Sequence, residues 1–301
     1  MAKHRRKKSY KYLYLAIGFI LGGILFFGLS NHNVRNKLVQ TVMGYAQPES
    51  TTILVVGQDS IKPLRSDTII LVCLNTKSEE ILLFSVPRDT RVEVPGNGYD
   101  KINHSYAKGG IKLLKETIEK SLDINIPYTV EINYQGFEKV IDLLGGVEID
   151  VEHDMKYADR AQDLVINITA GKQRLKGDKA LQYVRYRNDK LGDIGRIKRQ
   201  QIFLQALFHE IDNPLNLPKM PQIIQELRQA LVTNFSNEEL INLGLWFKEI
   251  DERVMITDMM PGEAAYIKGV SYWEPDLEAS KKLITEFFLK EKRVEEQPNE
   301  S

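Results

Sequence analysis

The chain has 301 residues, with 41 Lys and Arg against 41 Asp and Glu and a single cysteine; that length suits one large domain, and one cysteine excludes an intramolecular disulfide. Positions 1–12 hold six of the cationic residues and no acid, so the rest has 35 basic against 41 acidic residues, a net charge of −6. An acidic body of this kind lacks the broad basic field that nucleic-acid binding requires.

Lys3, Arg5, Arg6, Lys7, Lys8 and Lys11 open the chain, and no Asp, Glu, Lys or Arg occurs from Tyr12 to Val34. The apolar run at 13–30 is long enough to cross a hydrocarbon core about 30 Å thick. The cationic flank at 1–12 is expected to stay in the cytoplasm, leaving the rest outside the cell membrane. A cleavable signal peptide is the competing reading. The run exceeds an ordinary signal core, however, and Gly44-Tyr45-Ala46 lies too far beyond it for ordinary cleavage, which favours an uncleaved anchor. Positions 31–50 then read as a juxtamembrane stalk, 51–289 as an extracytoplasmic domain and 290–301 as a disordered, charged tail.

Strands are predicted at 51–57, 67–74 and 81–86, and their nearly continuous Ile, Val and Leu suggest a sheet covered on both faces. Further strands are expected at 128–132, 147–151 and 253–259. Helices are expected at 105–121, 135–144, 176–183, 194–212, 221–231, 237–250 and 277–289. Ser236 with Glu239 forms a capping box before the sixth of these helices. This order predicts an α/β fold, an α-β-α sandwich with a central mixed sheet, preceded by one transmembrane helix. Cys73, within the apolar run 69–74, reads as core filler and not as a nucleophile.

Charged residues gather at the strand ends. Asp59 follows the first strand and Asp67 opens the second, so neighbouring strands would bring both carboxylates to one end of the sheet. Such a pair suits a hard divalent cation shared with phosphate oxygens, although Asp also favours turns and caps for its own sake. In Ser85-Val86-Pro87-Arg88-Asp89-Thr90, proline ends the strand and Arg88 projects from the loop; the plainer alternative is a surface pair of Arg88 with Asp89. Lys101, in Lys101-Ile102-Asn103, is a weaker addition of the same kind.

The densest signal is YVRYRNDKLGDIGRIKRQQ at 183–201. Arg185, Arg187, Arg196 and Arg199 lie close to Asp189 and Asp193, a pattern that suggests several guanidinium groups aimed at one phosphate or diphosphate. A solvated helix face is the alternative. The alternation through Tyr183-Val184-Arg185-Tyr186-Arg187 puts both arginines on one side. In the following helix, Ile194, Ile197, Leu204, Phe208 and Ile211 form an apolar stripe, while Arg196, Arg199 and Gln200 share a neighbouring face.

The ordered set RSDT at 65–68, SVPRDT at 85–90, KIN at 101–103, DLLGGVEIDV at 142–151, LQYVRYR at 181–187 and GDIGRIKRQ at 192–200 resembles the LytR-CpsA-Psr family of bacterial cell-envelope proteins. The resemblance spans roughly 51–208 and includes the single anchor. It implies a phosphotransferase that moves a glycopolymer, of the teichoic acid or capsular polysaccharide type, from a polyprenyl diphosphate carrier to peptidoglycan. The acceptor expected by analogy is the C6 hydroxyl of N-acetylmuramic acid. By motif position Asp59 and Asp67 match residues associated with Mg²⁺, for which Mn²⁺ can substitute. Gln58 stands where Thr or Ser more usually precedes the first of these aspartates.

Arg65, Arg88, Arg185, Arg187, Arg196 and Gln200 match diphosphate-binding residues, with Lys101 a looser match. The catalytic set implied is Asp67, Arg88, Asp193 and Arg196, with Asp193 either a base or a group that orients Arg196. Lys198 and Arg199 read as surface charges. The helices at 201–211 and 221–231 are candidates for an apolar slot holding the polyprenyl chain, and everything from Val232 onward reads as structural support without a site. Two other functions use the same residues: a non-catalytic polyprenyl-phosphate-binding regulatory module, and a polyprenyl diphosphate phosphatase with water as acceptor. Direct DNA control is not expected, since no helix-turn-helix with a basic face occurs in the dozen or so residues that would remain in the cytoplasm.

Overall fold

A computed structural model describes residues 49–58, 66–159, 164–189, 192–212, 231–247 and 255–291, together with positions 226 and 229. The predicted cytoplasmic segment, anchor and nearly all of the stalk lie outside the described residues, as do most of the expected helix at 221–231 and most of the tail. Among the described residues no helix is long and apolar enough to cross a membrane.

In chain order the elements begin with β1 (Thr51–Gln58), β2 (Ser66–Asn75), β3 (Glu80–Ser85), β4 (Arg91–Val94), β5 (Gly98–Lys101), α1 (Ile102–Leu122), β6 (Tyr128–Asn133) and α2 (Tyr134–Leu144). Then come β7 (Val147–Val151), β8 (Met155–Asp159), β9 (Leu164–Ile168), β10 (Gly171–Leu175), α3 (Gly177–Arg185) and α4 (Gly192–Asp212). The chain continues with β11 (Leu231–Thr233), α5 (Asn237–Phe247), β12 (Met255–Met259), β13 (Gly262–Ile267), β14 (Val270–Pro275) and α6 (Leu277–Leu289).

The central sheet runs β11-β6-β1-β2-β3-β12. It is mixed: β1, β2 and β3 pair antiparallel, while β6 lies parallel to β1 and β12 parallel to β3. Because strand side chains alternate between faces, the apolar runs divide between two layers. Leu54, Val56, Leu71, Cys73, Leu82 and Phe84 pack with Leu114 and Ile118 of α1 and Ile284 and Phe287 of α6. Ile53, Ile70, Leu74, Ile81 and Leu83 pack on the other side with Trp246 of α5 and Leu204 of α4. Helices therefore cover both faces, as the continuous apolar character of these strands predicts.

A further core joins the hairpin-like pairs β7–β10 and β8–β9 to α2, α3 and α4 through Ile141, Ile149, Ile166, Tyr183 and Phe203. The Gly145-Gly146 pair makes this possible. Gly145 caps α2 in the left-handed region at φ 87°, and Gly146 follows at φ 96°. Asp142 Oδ1 then accepts a hydrogen bond from the Gly177 N–H at the start of α3 (2.9 Å).

Four expectations need correction. Leu231, predicted to end a helix, opens β11 instead, because its backbone completes the sheet edge beside Ile132. Phe203, omitted from the α4 stripe, is buried in the second core, whereas Ile194 is only half-buried. Lys290 is docked and not frayed: its carbonyl accepts from Asn75 Nδ2 (3.1 Å) and its Nζ lies 3.2 Å from Glu80. The short strands β4, β5, β8, β9, β10, β13 and β14 were not anticipated. The capping box does form, with Ser236 N–H donating to Glu239 Oε2 (2.7 Å) and Glu239 N–H to Ser236 Oγ (3.2 Å).

Gly177 sits where α3 meets α2, and a Cβ there would press on the Glu138 carbonyl oxygen. Gly177→Ala is therefore expected to destabilise the fold by about 1–3 kcal/mol, measurable by urea unfolding. Cys73 is fully buried, and burial raises its pKa from 9.0 to about 12 against a smaller lowering by the Thr52 hydrogen bond. The native thiol should resist iodoacetamide at pH 8. Its folded pKa lies above the unfolded value, so its contribution to stability is intact below about pH 9 and declines as pH rises toward 12.

Candidate functional site

The end of α3 turns two arginines toward one pocket. Arg185 is the last helical residue, and Tyr186 leaves the helix in an extended conformation (φ −63°, ψ 130°), so that Arg187 continues on the same side. Arg185, Arg187, Arg196 and Gln200 line a solvent-open pocket, with Thr68, Tyr134, Leu164 and Val184 completing its wall. The Arg185 guanidinium lies over the Tyr134 ring, 4.5 Å from the centroid, a geometry that holds a cation without neutralising it. Among the described residues neither Arg185 nor Arg187 makes an ion pair with a carboxylate.

Glu138 feels the charge of Arg185. Burial, followed by repulsion from Asp178 and Asp142, nevertheless raises its pKa above the ordinary carboxylate value.

Carboxylates appear instead one step behind the wall. Arg196 is 4% exposed, and its Nη2 lies 2.6 Å from Asp193 Oδ1 one turn back on α4. The same oxygen is 3.7 Å from Arg88 Nε, so Asp193 bridges two cations carried by different elements. Asp89 extends the series, at 3.9 Å from Arg88 Nε and 2.8 Å from Lys101 Nζ.

The loop carrying Arg88 is fixed on several sides. Pro87 ends the strand, and its carbonyl accepts from the Thr90 N–H (3.0 Å). The first turn of α1 donates to this loop, Ile102 N–H to Thr90 O and Asn103 N–H to Arg88 O. From the C-terminal hairpin, Trp273 N–H donates to Asp89 O (3.0 Å) and the indole Nε1 to Met260 O (3.2 Å). The segment after Val232 is thus support, as expected, but support that grips the Arg88 loop directly.

Gln200 ties the pocket to the central sheet, since its Nε2 donates to Thr68 Oγ1 (2.9 Å) and to Val184 O (3.2 Å). The register of β1 with β2 passes from Gly57↔Thr68 to Gln58↔Ser66, leaving Asp67 as the extra residue of a bulge. Asp59, Arg65 and the Asp67 side chain lie outside what is described. Among the described residues no group of three or more His, Cys, Asp or Glu converges, so the metal expectation rests on Asp59 and Asp67. Arg185, Arg187, Arg196 and Gln200 come together as anticipated; Arg88 and Asp193 adjoin them, and Lys101 stands beyond Asp89, outside the pocket wall.

Arg199 is a correction. It is not a surface charge but 3% exposed, with Nη1 at 2.6 Å from Asp189 and 3.0 Å from Glu152 and Nη2 donating to Tyr186 O (2.7 Å). Two acids, one brought from across the fold, make this burial tolerable. Lys198 is exposed as expected. Sequence reasoning missed Tyr134, whose placement directly after β6 at the sheet end was the available signal. It also missed Thr68 as a partner of Gln200.

Fold and site define an α/β domain with an arginine-walled pocket at one end of a mixed sheet. Residues 29–288 match the LytR_cpsA_psr family, and the chain belongs to that family. Among its relatives is the regulatory protein MsrR of Staphylococcus aureus strain Mu50, 38% identical over 200 residues, 65% of this chain and 60% of MsrR. The match thus spans about 60% of the length of the first curated relatives. The polyisoprenyl-teichoic acid–peptidoglycan teichoic acid transferase TagU of Bacillus licheniformis is 27% identical over 92% of this chain and 94% of its own. A solved structure of TagT bound to LIIa-WTA superposes with a TM-score of 0.65 at 29% identity, covering 79% of this chain and 90% of TagT.

Removing Arg199 would take a close cation from both Asp189 and Glu152. Arg199→Ala should cost about 3–5 kcal/mol, whereas Lys198→Ala should stay within about 0.5 kcal/mol of wild type. Chemical denaturation of the two variants checks the contrast.

Proposed function

We propose that this chain is a transferase that moves a glycopolymer phosphate, of the teichoic acid or capsular polysaccharide type, from a polyprenyl diphosphate carrier to peptidoglycan. The observation that carries the reading is the convergence of Arg185, Arg187 and Arg196 with Gln200 on one pocket of a chain that is acidic outside its N-terminal segment. Arg185 and Arg187, which make no carboxylate ion pair among the described residues, stand beside Arg196 and suit a ligand that brings several negative charges of its own. The transferase name of TagU and the LIIa-WTA held by TagT support the substrate class. The apolar run at 13–30 would hold the domain at the outer membrane surface, where the head group of such a carrier is exposed.

The residues divide the work. Arg185, Arg187 and Arg196 would hold the diphosphate oxygens, and Arg88 would meet charge developing on the transferred phosphoryl group. The acceptor hydroxyl oxygen forms a bond to the phosphorus bearing the glycan. The bond from that phosphorus to the bridging oxygen breaks, and polyprenyl phosphate leaves with the electron pair. Asp193, held between Arg196 and Arg88, is an orienting group; the hydroxyl proton passes to an aspartate at the end of the β1–β2 pair, Asp59 or Asp67.

A divalent cation would suit the same two aspartates. β1 ends at Gln58 opposite Ser66, and Thr68 lines the pocket, so the chain positions of Asp59 and Asp67 suit a Mg²⁺ or Mn²⁺ ion shared with phosphate oxygens. When bound, such an ion would neutralise diphosphate charge and stabilise the leaving phosphate. The regulatory name of MsrR favours a second reading, in which the pocket captures polyprenyl phosphates without turnover.

The test is transfer of a labelled glycan phosphate from polyprenyl diphosphate to peptidoglycan oligomers by the full-length chain. Product is expected with Mg²⁺ and not with EDTA. Arg196→Ala should lower the rate about 10²–10³-fold, and Asp67→Ala should abolish the response to metal. Donor binding with no product would establish capture in place of transfer, and release of monophosphate at the same rate without acceptor would establish hydrolysis.

A further inference from the structure

Beyond Asp89, outside the pocket wall, lies a partly exposed ridge that the diphosphate chemistry proposed above does not use. In the β4–β5 pair Arg91 stands opposite Lys101 and Glu93 opposite Tyr99, while Val92 and Val94 face the core, so Arg91, Lys101 and Tyr99 share the outer surface. Tyr272 and Glu274 alternate along β14 and meet the same surface. Arg91 Nη1 is 3.3 Å from Glu274 Oε1, and Lys101 Nζ lies over the Tyr272 ring, 5.6 Å from its centroid. The Arg91 guanidinium covers one face of the Tyr99 ring at 4.4 Å, although 64% of Tyr99 remains exposed.

We infer that this ridge is the acceptor-glycan subsite, an inference that rests on the transferase reading. A pyranose ring offers a face of C–H bonds that stacks on an aromatic ring, and hydroxyl and acetamido groups that bond to planar charged side chains beside it. Two tyrosines backed by cations, flanked by Glu274 and Asp89, provide both chemistries. The ridge is also continuous with the pocket: Lys101 contacts Asp89, Asp89 approaches Arg88, and Arg88 approaches the Asp193 that holds Arg196. A glycan on the ridge therefore lies beside the phosphoryl group and not along the apolar part of the donor. A lipid surface is the competing occupant for exposed tyrosines. Each cation of the ridge is already paired with a carboxylate, and that composition favours a sugar over an anionic leaflet.

The full-length chain in nanodiscs can be titrated with an N-acetylglucosamine–N-acetylmuramic acid tetrasaccharide by calorimetry. Tyr99→Ala and Tyr272→Ala should each weaken binding about tenfold, the scale of one lost aromatic stacking contact, and Tyr99→Phe should restore it. Tyr266 is 80% exposed but faces the other side of the β13–β14 pair, so Tyr266→Ala should bind as wild type. Affinity for polyprenyl diphosphate should be the same in all four variants. Unchanged glycan affinity in Tyr99→Ala, or no binding by wild type, overturns the proposal. So does amide-exchange protection of β4, β5 and β14 that follows anionic lipid and not the glycan. Glycan bound at the ridge by a chain that transfers nothing removes the transferase reading and leaves the ridge standing. Transfer with an unchanged acceptor KM in Tyr99→Ala does the reverse.

Discussion

Gathering guanidinium groups that cannot give up their protons is the constraint around which this end of the molecule is arranged. Their mutual repulsion in a partly dry pocket would spread them apart, and the fold opposes this with Asp193. One carboxylate oxygen stands 2.6 Å from Arg196 and 3.7 Å from Arg88, tying the start of α4 to the loop after β3. Because Asp193 lies behind the pocket wall, it holds the cations in place without occupying the surface that a ligand would meet.

The same logic separates two kinds of arginine along one short stretch. Arg199 is held by Asp189, Glu152 and the Tyr186 carbonyl, so it fastens the start of α4 to the turn that follows α3. Arg185 and Arg187, at the end of α3 and just beyond it, have no such carboxylate partners among the described residues. Their positions are set by the Tyr134 ring and by the backbone leaving the helix at Tyr186. A buried arginine held by two acids, three residues from Arg196, helps the neighbouring arginines keep their geometry, since the backbone around them cannot relax.

Much of this was legible in the sequence, for physical reasons that differ by element. The runs in β1, β2 and β3 are apolar on both faces, and a sheet covered on both sides is the arrangement that buries them; α6 carries Asp276 as its cap, and its predicted bounds match. The short outer strands were not legible. β13 is exposed along most of its length and β14 is nowhere fully buried, so neither shows a clean alternation, and β4 and β5 have four residues each, too few for a period to emerge. Arg196 and Gln200 could be found because i, i+4 spacing puts them on one helix face, and Arg185 and Arg187 because alternation about Tyr186 sends both to one side. The burial of Arg199 could not, since Glu152, which helps to neutralise it, lies 47 residues away in the chain.

Distance along the chain also explains why the C-terminal hairpin seemed to have no part in the site. It carries no motif, yet Trp273 bonds to the backbone of Asp89, and Glu274 pairs with Arg91. Since Asp89 lies between Arg88 and Lys101, any shift of the hairpin alters the spacing of two cations at once. The Arg88 loop is therefore positioned by contacts from both ends of the domain, α1 on one side and β14 on the other. A loop held only by its own strand would have to be ordered by the ligand, at a cost in binding free energy. This one is ordered in advance, so a ligand meeting Arg88 need not supply that ordering.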